Sequence, residues 1–304
     1  MSFQCGVIAD WQAEAAGVSG VRMRDLVRSG RWQRLHFGTY AAFTGEPPRQ
    51  AFLWGAVLRA GPRAILSHET AAELDGLVDK RSKMIHVTVP QSQHRQQIAG
   101  IVIHRSRRSI AVQRRGRLPL RTATEETMLD LAEMATSFDD VISLLARACQ
   151  RRLTTPLLIS ETLGQRARVR WRTEIEQALR DVAGGVHSAL EYRYLRDVER
   201  PHGLPTAERQ AKAAKDGRTV YRDALYRRYG VAVELDGNAS HPAEQHWSDK
   251  HRDNAAAVDG IVTLRYGWAD VTEHPCETAR EVAAVLARRG WRGPLRRCGP
   301  ACRA

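Results

Sequence analysis

The sequence predicts an α/β multidomain chain, and three observations predict it. At 304 residues with 43% hydrophobic side chains, the chain exceeds a typical single domain and can fill substantial cores. Its beginning reads as two short helices followed by a strand that breaks at a glycine and resumes, the pattern of a helix-turn-helix with a wing. Its last third runs helix, three strands, helix, strand, with tight turns between the strands. The expected organisation is a winged helix-turn-helix over 1–45, a mixed region with a helical scaffold over 46–183, an αβββαβ domain over 184–293 and a tail over 294–304.

Val7 to Gly17 reads as a helix ended by glycine, and Val18-Ser19 starts the next, Gly20 to Ser29. That second helix carries Arg22, Arg24 and Arg28, with Val21, Leu26 and Val27 available for packing. Gly30 to Phe43 alternates, breaks at Gly38 and resumes as a wing bearing Arg31 and Arg34. Ala51 to Arg59 is helical, and Ile65 to Leu77 holds a helix with Ser67 as its cap. Ile85 to Pro90 and Ile101 to Arg105 alternate as paired strands. His68, His86 and His104 match no tight ligand spacing and read as structural. From Ala123 to Val182 the period is helical, with Met128, Leu129, Leu131, Leu145 and Leu179 among the core positions.

The last domain carries the chemistry. A helix from Ser188 to Val198 puts Glu191 on one stripe with Leu195 and Val198, where an unpartnered carboxylate is costly. Tyr221 to Tyr226 and Val231 to Asp236 form a hairpin if the turn is centred between Arg228 and Tyr229. Asp223 then faces Glu234, with Cβ atoms roughly 4.5–5.5 Å apart, and like charges so placed destabilise unless something offsets them. Asp236, two residues on, turns to the same face. A second hairpin centred on Asp216-Gly217 sets Gln210 opposite Asp223. Single exposed acids are ordinarily just solvated. An oxygen row of Gln210, Asp223 and Glu234 with Asp236 beside it, opposite apolar Val231, Val233 and Leu235, instead suits Mg²⁺ or Mn²⁺. A helix from about Ala243 to Val258, a strand Ile261 to Tyr266 and a helix Glu277 to Arg289 complete the domain.

With Glu191, Tyr-Arg-Asp223, Val-Glu234-Leu-Asp236-Gly, His241 and Asp249-Lys-His-Arg252, residues 186–291 resemble the PD-(D/E)XK nuclease core. Within that group they are most similar to endonuclease domains of the very-short-patch-repair type. The resemblance implies a restriction-endonuclease-like fold in which Glu191, Asp223, Glu234 and Asp236 hold the metal, and Asp223, Glu234 and Asp236 serve catalysis. The family places a lysine two residues after the acid, where this chain has Asp236. His241, Lys250 and Arg252 are the candidates to take over the duties of that lysine, activating water and steadying the phosphate. The amino-terminal segment and the Ser67-His-Glu-Thr-Ala-Ala run resemble AbiEi-type antitoxins, which implies DNA contacts from Arg22, Arg24, Arg28, Arg31 and Arg34 and a cognate toxin or defence partner. Gln210 and Arg252 join the expected DNA-contacting set.

Charge points the same way. The formal net charge is +13 and the pI near 10.1, which favours polyanions because each basic contact to phosphate releases condensed counterions. The basic runs 105–108, 114–117 and 166–170 could extend such a face. No run approaches the roughly 18 apolar residues of a spanning helix, and no signal peptide is recognisable, so no membrane partner is expected. Five scattered cysteines argue against a disulfide framework and for a reducing cytoplasm. Cys298 and Cys302 could clip a soft metal or pair with each other, but without a second pair at ligand spacing the tail reads as unstructured. The expected function is metal-dependent DNA cleavage. The alternative is a DNA-binding regulator or antitoxin whose nuclease-like domain is inactive.

Overall fold

In the computed structural model, which describes residues 4–93, 98–108, 118–215, 218–236 and 260–302, the chain is a mixed α/β protein. It divides into two units, Met1–Thr136 with Arg151–Arg172 and Ser137–Gln150 with Thr173–Ala304.

In the first unit, Val7–Ala9 forms a strand, β1, where a helix is expected; the helix α1 occupies only Asp10–Ala15. The reason lies in burial. Val7 and Ala9 pack with Trp54 and Leu58, and Ile8 packs with Ala13 and Met23, so the strand is apolar on both faces and shows no alternation. Helix α2 (Gly20–Arg28) is capped by the Ser19 hydroxyl, which accepts from Arg22 N at 3.3 Å. β2 (Gln33–His36) and β3 (Thr39–Ala41) complete an antiparallel sheet of order β1-β3-β2. Gly38 turns between them at φ +76°, and a Cβ there would sit 2.7 Å from Asp10 Oδ2.

Helix α3 (Arg49–Ala60) serves two cores. Trp54 and Leu58 cover the first sheet, while Leu53, Ala56 and Val57 cover a second sheet of order β4-β5-β6. Residues of the 1–45 segment therefore share a core with α3. In the second sheet β4 (Ile65–Leu66) runs antiparallel and β6 (Ile101–Ser106) parallel to β5 (Ile85–Pro90). β4 precedes the helix expected after Ser67, and α4 runs His68–Leu74 from that N-cap position. Ser67 stands at its N-cap position without capping it: the hydroxyl accepts from Thr88 Oγ1 at 2.7 Å and meets His68 Nδ1 at 2.9 Å.

The helical stretch resolves into α5 (Thr124–Met134), α6 (Phe138–Gln150), α7 (Pro156–Gly164) and α8 (Arg172–Ala183). Helices α5 and α7 belong to the first unit and α6 to the second. Arg166 does not extend a basic surface as its run suggests. It is largely covered and paired with Glu126 and, at 2.7 Å, Asp130, and Arg108 also pairs with Glu126.

In the second unit, α9 (Ala189–Arg193) passes into a π-helical turn, Tyr194–Glu199. β7 (Glu208–Lys215), β8 (Arg218–Tyr226), β9 (Val231–Asp236) and β10 (Val262–Gly267) make a sheet of order β10-β9-β8-β7. Only the β9–β10 pair is parallel. Helices α10 (Trp268–Thr272) and α11 (Pro275–Arg288) come next. Val231, Val233 and Leu235 pack with Leu190, Tyr194, Val198, Val282 and Leu286 in the main core, while Ala232 packs with Leu225 and Ala211 on the other face. β9 is thus apolar on both faces over its first half, and the face that carries the acids becomes polar only from Glu234. A polar group is built into the core: Tyr194 donates to Tyr226 (2.8 Å), Tyr226 to Glu199 (3.0 Å), and Arg209 pairs with Glu199 (2.7 Å).

The tail after α11 has neither helix nor strand along Trp291–Cys302. It is nevertheless packed, because Trp291 and Leu295 join the core and Cys302 is buried. The helix expected over 243–258 lies outside the described residues. Among the described residues no helix is long and apolar enough to cross a membrane.

Candidate metal centre

Two hairpins assemble the acids. The β8–β9 ladder pairs Tyr226 with Val231, Leu225 with Ala232 and Ala224 with Val233, the register of a turn centred between Arg228 and Tyr229. Continued by one residue, that register sets Asp223 across from Glu234. Pairing stops there: β8 continues against β7, while β9 continues against β10 as far as Asp236. The sheet forks between Asp223 and Glu234. At the fork the Asp223 carboxylate replaces a backbone acceptor, taking the Leu235 N–H on Oδ2 at 2.8 Å.

β7 adds the third member. Its ladder pairs Arg209 with Ala224 and Ala211 with Arg222, which leaves Gln210 across from Asp223 but outside the regular ladder. Gln210 has φ +47°, a left-handed conformation that costs a side-chain-bearing residue about 1–2 kcal/mol. Surrounding contacts must hold it there, and those contacts are two carboxylates. Nε2 donates to Glu191 Oε2 at 3.2 Å and to Asp223 Oδ1 at 3.3 Å.

Glu191 comes from the first turn of α9. Ser188 Oγ caps that turn by accepting from Glu191 N at 3.1 Å, and Glu191 Oε2 accepts from His187 N at 3.0 Å. The residue is only 5% exposed. Burial pushes its pKa up to about 7 and the nearby Asp223 pushes the same way, while the bonds from His187, Gln210 and Ser188 oppose.

Asp236 is more open than Glu191, and Arg265 of β10 stands 3.6 Å from it (Nη1 to Oδ2). Arg265 is paired in register with Glu234 and is a cation that sequence reasoning missed. The signal was a single Arg in the strand after the acids, which becomes informative only once β10 is known to lie parallel beside β9. His241, Lys250 and Arg252 lie outside the described residues.

The donors are oxygens of the kind a hard divalent cation takes, but among the described residues the groups with ligand atoms within 4.8 Å of one another are histidine- and cysteine-based and do not include these acids. Glu191 and Asp223 already converge on one donor, the Gln210 amide, and an amide turned end for end presents its oxygen at the same point. A buried carboxylate with a raised pKa gains most from a neighbouring positive charge.

Of the arginines expected to contact DNA, Arg22, Arg24, Arg28, Arg31 and Arg34 are all exposed. Arg24 and Arg28 lie one turn apart on α2, whereas Arg22 lies across the buried Met23 on the other flank. Arg28 also pairs with the exposed Asp25 at 3.3 Å.

Among the described residues, His68, His86 and His104 form a group whose ring nitrogens lie within 4.8 Å of one another. The His68 and His104 rings stack at 3.5 Å and 13°, so their in-plane lone pairs point side by side and not at a common centre. Burial holds His68 down to about 2 and His104 to about 4, keeping both neutral. They line a cavity of about 340 Å³ together with Arg105, Arg108, Glu126 and Arg166. No protein-family model matches this chain, and no curated protein matches its sequence significantly.

Proposed function

We propose that the chain is a divalent-metal-dependent DNA endonuclease of the PD-(D/E)XK kind, with a winged helix-turn-helix at its amino terminus. The observation that carries the reading is the fork in the second unit's sheet, where Gln210 links Glu191 to Asp223 and the hairpin register sets Glu234 opposite. Carboxylates gathered at a sheet fork beside a packed helix are costly for folding alone, and a function that needs them accounts for the cost.

In this reading Asp223, Glu234 and Glu191 hold Mg²⁺ or Mn²⁺, with Asp236 at the edge of the site. The cation supplies Lewis-acid activation of water and neutralises charge developing on the phosphate. Asp223 is oriented for this by the Leu235 N–H, which fixes Oδ2 and leaves Oδ1 on the Gln210 side. Beside such a cation Glu191 would be held as the carboxylate, against the burial that now raises its pKa. Arg265 supplies positive charge beside position 236, where the family has its lysine. It cannot act as a base, since a guanidinium stays protonated. The exposed arginines of α2 and the wing hold duplex phosphates.

The reading is tested with a labelled duplex and Mg²⁺: wild type should cleave, and Asp223→Ala should lose cleavage while binding DNA as tightly or more tightly, because a negative charge near the backbone is removed. Wild-type-like cleavage by Asp223→Ala overturns the assignment. The second reading, a regulator or antitoxin with an inactive domain, is favoured by one observation: position 236 is a carboxylate paired with Arg265 in place of a lysine. Operator-specific binding without any response to metal would select it.

A further inference from the structure

Four potential metal ligands from separate segments of the second unit meet outside the acidic row. His202 comes just after the π-helical turn, Cys276 is the second residue of α11, and Cys298 and Cys302 lie in the tail. One ligand atom from each lies within 4.8 Å of all the others. Cys276 Sγ and Cys298 Sγ are 3.6 Å apart, and Cys302 Sγ is 3.6 Å from His202 Nε2.

These separations are those of a tetrahedral zinc site. With Zn–S about 2.3 Å and Zn–N about 2.0–2.1 Å, tetrahedral angles put sulfurs about 3.8 Å apart and sulfur about 3.5 Å from nitrogen. The imidazole is also set in the correct tautomer. Its Nδ1 lies 2.8 Å from the Val198 carbonyl, which can only accept, so Nδ1 carries the proton and the lone pair of Nε2 faces the thiols. A metal-ligating histidine ordinarily donates its other N–H to such an acceptor. His202 is fully buried and Cys302 is 6% exposed, although Cys302 lies in a tail without regular structure. The backbone holds the approach, with Arg296 N bonded to His202 O at 2.9 Å.

We propose that His202, Cys276, Cys298 and Cys302 bind a structural Zn²⁺ that clips the tail to α11 and to the end of the π-helical turn. With four protein ligands the site is closed to substrate, so its duty is structural and distinct from that of the oxygen-donor row. Each thiol releases its proton as it ligates. The ion ties down the same helical segment, α9 and its π turn, that presents Glu191.

The test is zinc content by mass spectrometry of the full-length protein purified without chelating tags or EDTA. One zinc per chain is expected, retained in Glu234→Ala and in Cys149→Ser and lost in Cys298→Ser, whose side chain is exposed and whose replacement leaves the core intact. Replacing the zinc with Co²⁺ should give thiolate charge-transfer and tetrahedral d–d absorption in the wild type, absent from Cys298→Ser. Metal-free wild type with all thiols free and no cobalt spectrum overturns the proposal. So does a Cys276–Cys298 disulfide found by peptide mapping, and so does zinc that leaves with Glu234→Ala but stays with Cys298→Ser.

Discussion

Replacing Glu191 with Gln should remove a pH dependence of stability that the wild-type fold carries. The carboxyl rises from an ordinary value of 4.5 to about 7 in the folded chain, chiefly because it is buried. Between those values the folded state holds a proton that the unfolded state has released. Stability must therefore fall as pH rises from 4.5 towards 7, and change no further from this group above that. At about 1.4 kcal/mol for each pH unit, the whole effect is about 3 kcal/mol. The assay is urea unfolding of the full chain at pH 4.5 and pH 8 without divalent metal, read by amide exchange in the peptides of the second unit. Relative to Glu191→Gln, wild type should lose about 3 kcal/mol between the two pH values. Saturating Mg²⁺ should restore it, because metal bound to the folded state stabilises by mass action. A difference between wild type and variant that stays constant across this range would refute a protonated, desolvated Glu191.

Three further outcomes are expected. Arg265→Ala should lower single-turnover cleavage by about 10²–10³-fold with little change in DNA affinity, if its charge acts on the transition state; an unchanged rate would leave Arg265 as a partner of Asp236 only. Replacing Arg24, Arg31 and Arg34 together with Ala should flatten the salt dependence of DNA affinity, by about 0.9 in the log–log slope for each phosphate no longer neutralised; an unaltered slope would remove this face from the interface. Tyr226→Phe strips the Tyr194 hydroxyl and the Glu199 carboxylate of a buried partner, and should cost about 1–3 kcal/mol in denaturant unfolding without altering metal affinity.

The hairpin registers are legible in the sequence because they are local. A turn centre and a period of two suffice to set Asp223 against Glu234 and Gln210 against Asp223, and neither depends on the rest of the fold. The left-handed turn of Gln210 is not legible, since it arises from the bonds to Glu191 and Asp223 that form only when α9 packs on the sheet. β1 escapes sequence reasoning because three residues apolar on both faces carry no period. The π-helical turn after Arg193 has no sequence signature. The cysteine–histidine group is hidden because Cys298 and Cys302 have no second ligand pair near them in the chain. Its other members are separated from them by 22 residues in one case and 100 in the other, and only the packing of the tail brings them together. Arg166, part of a basic run in the sequence, is spent on Glu126 and Asp130 in the fold, which shows why a charge run says little until its partners are known.

Incubation of the full chain with supercoiled, linear duplex and single-stranded DNA, in Mg²⁺, Mn²⁺ or EDTA and alongside Glu234→Ala, tests the central claim most directly. Cleavage that requires the metal and disappears in Glu234→Ala is the predicted result. Tight binding with no cleavage of any substrate under any of these conditions would contradict it.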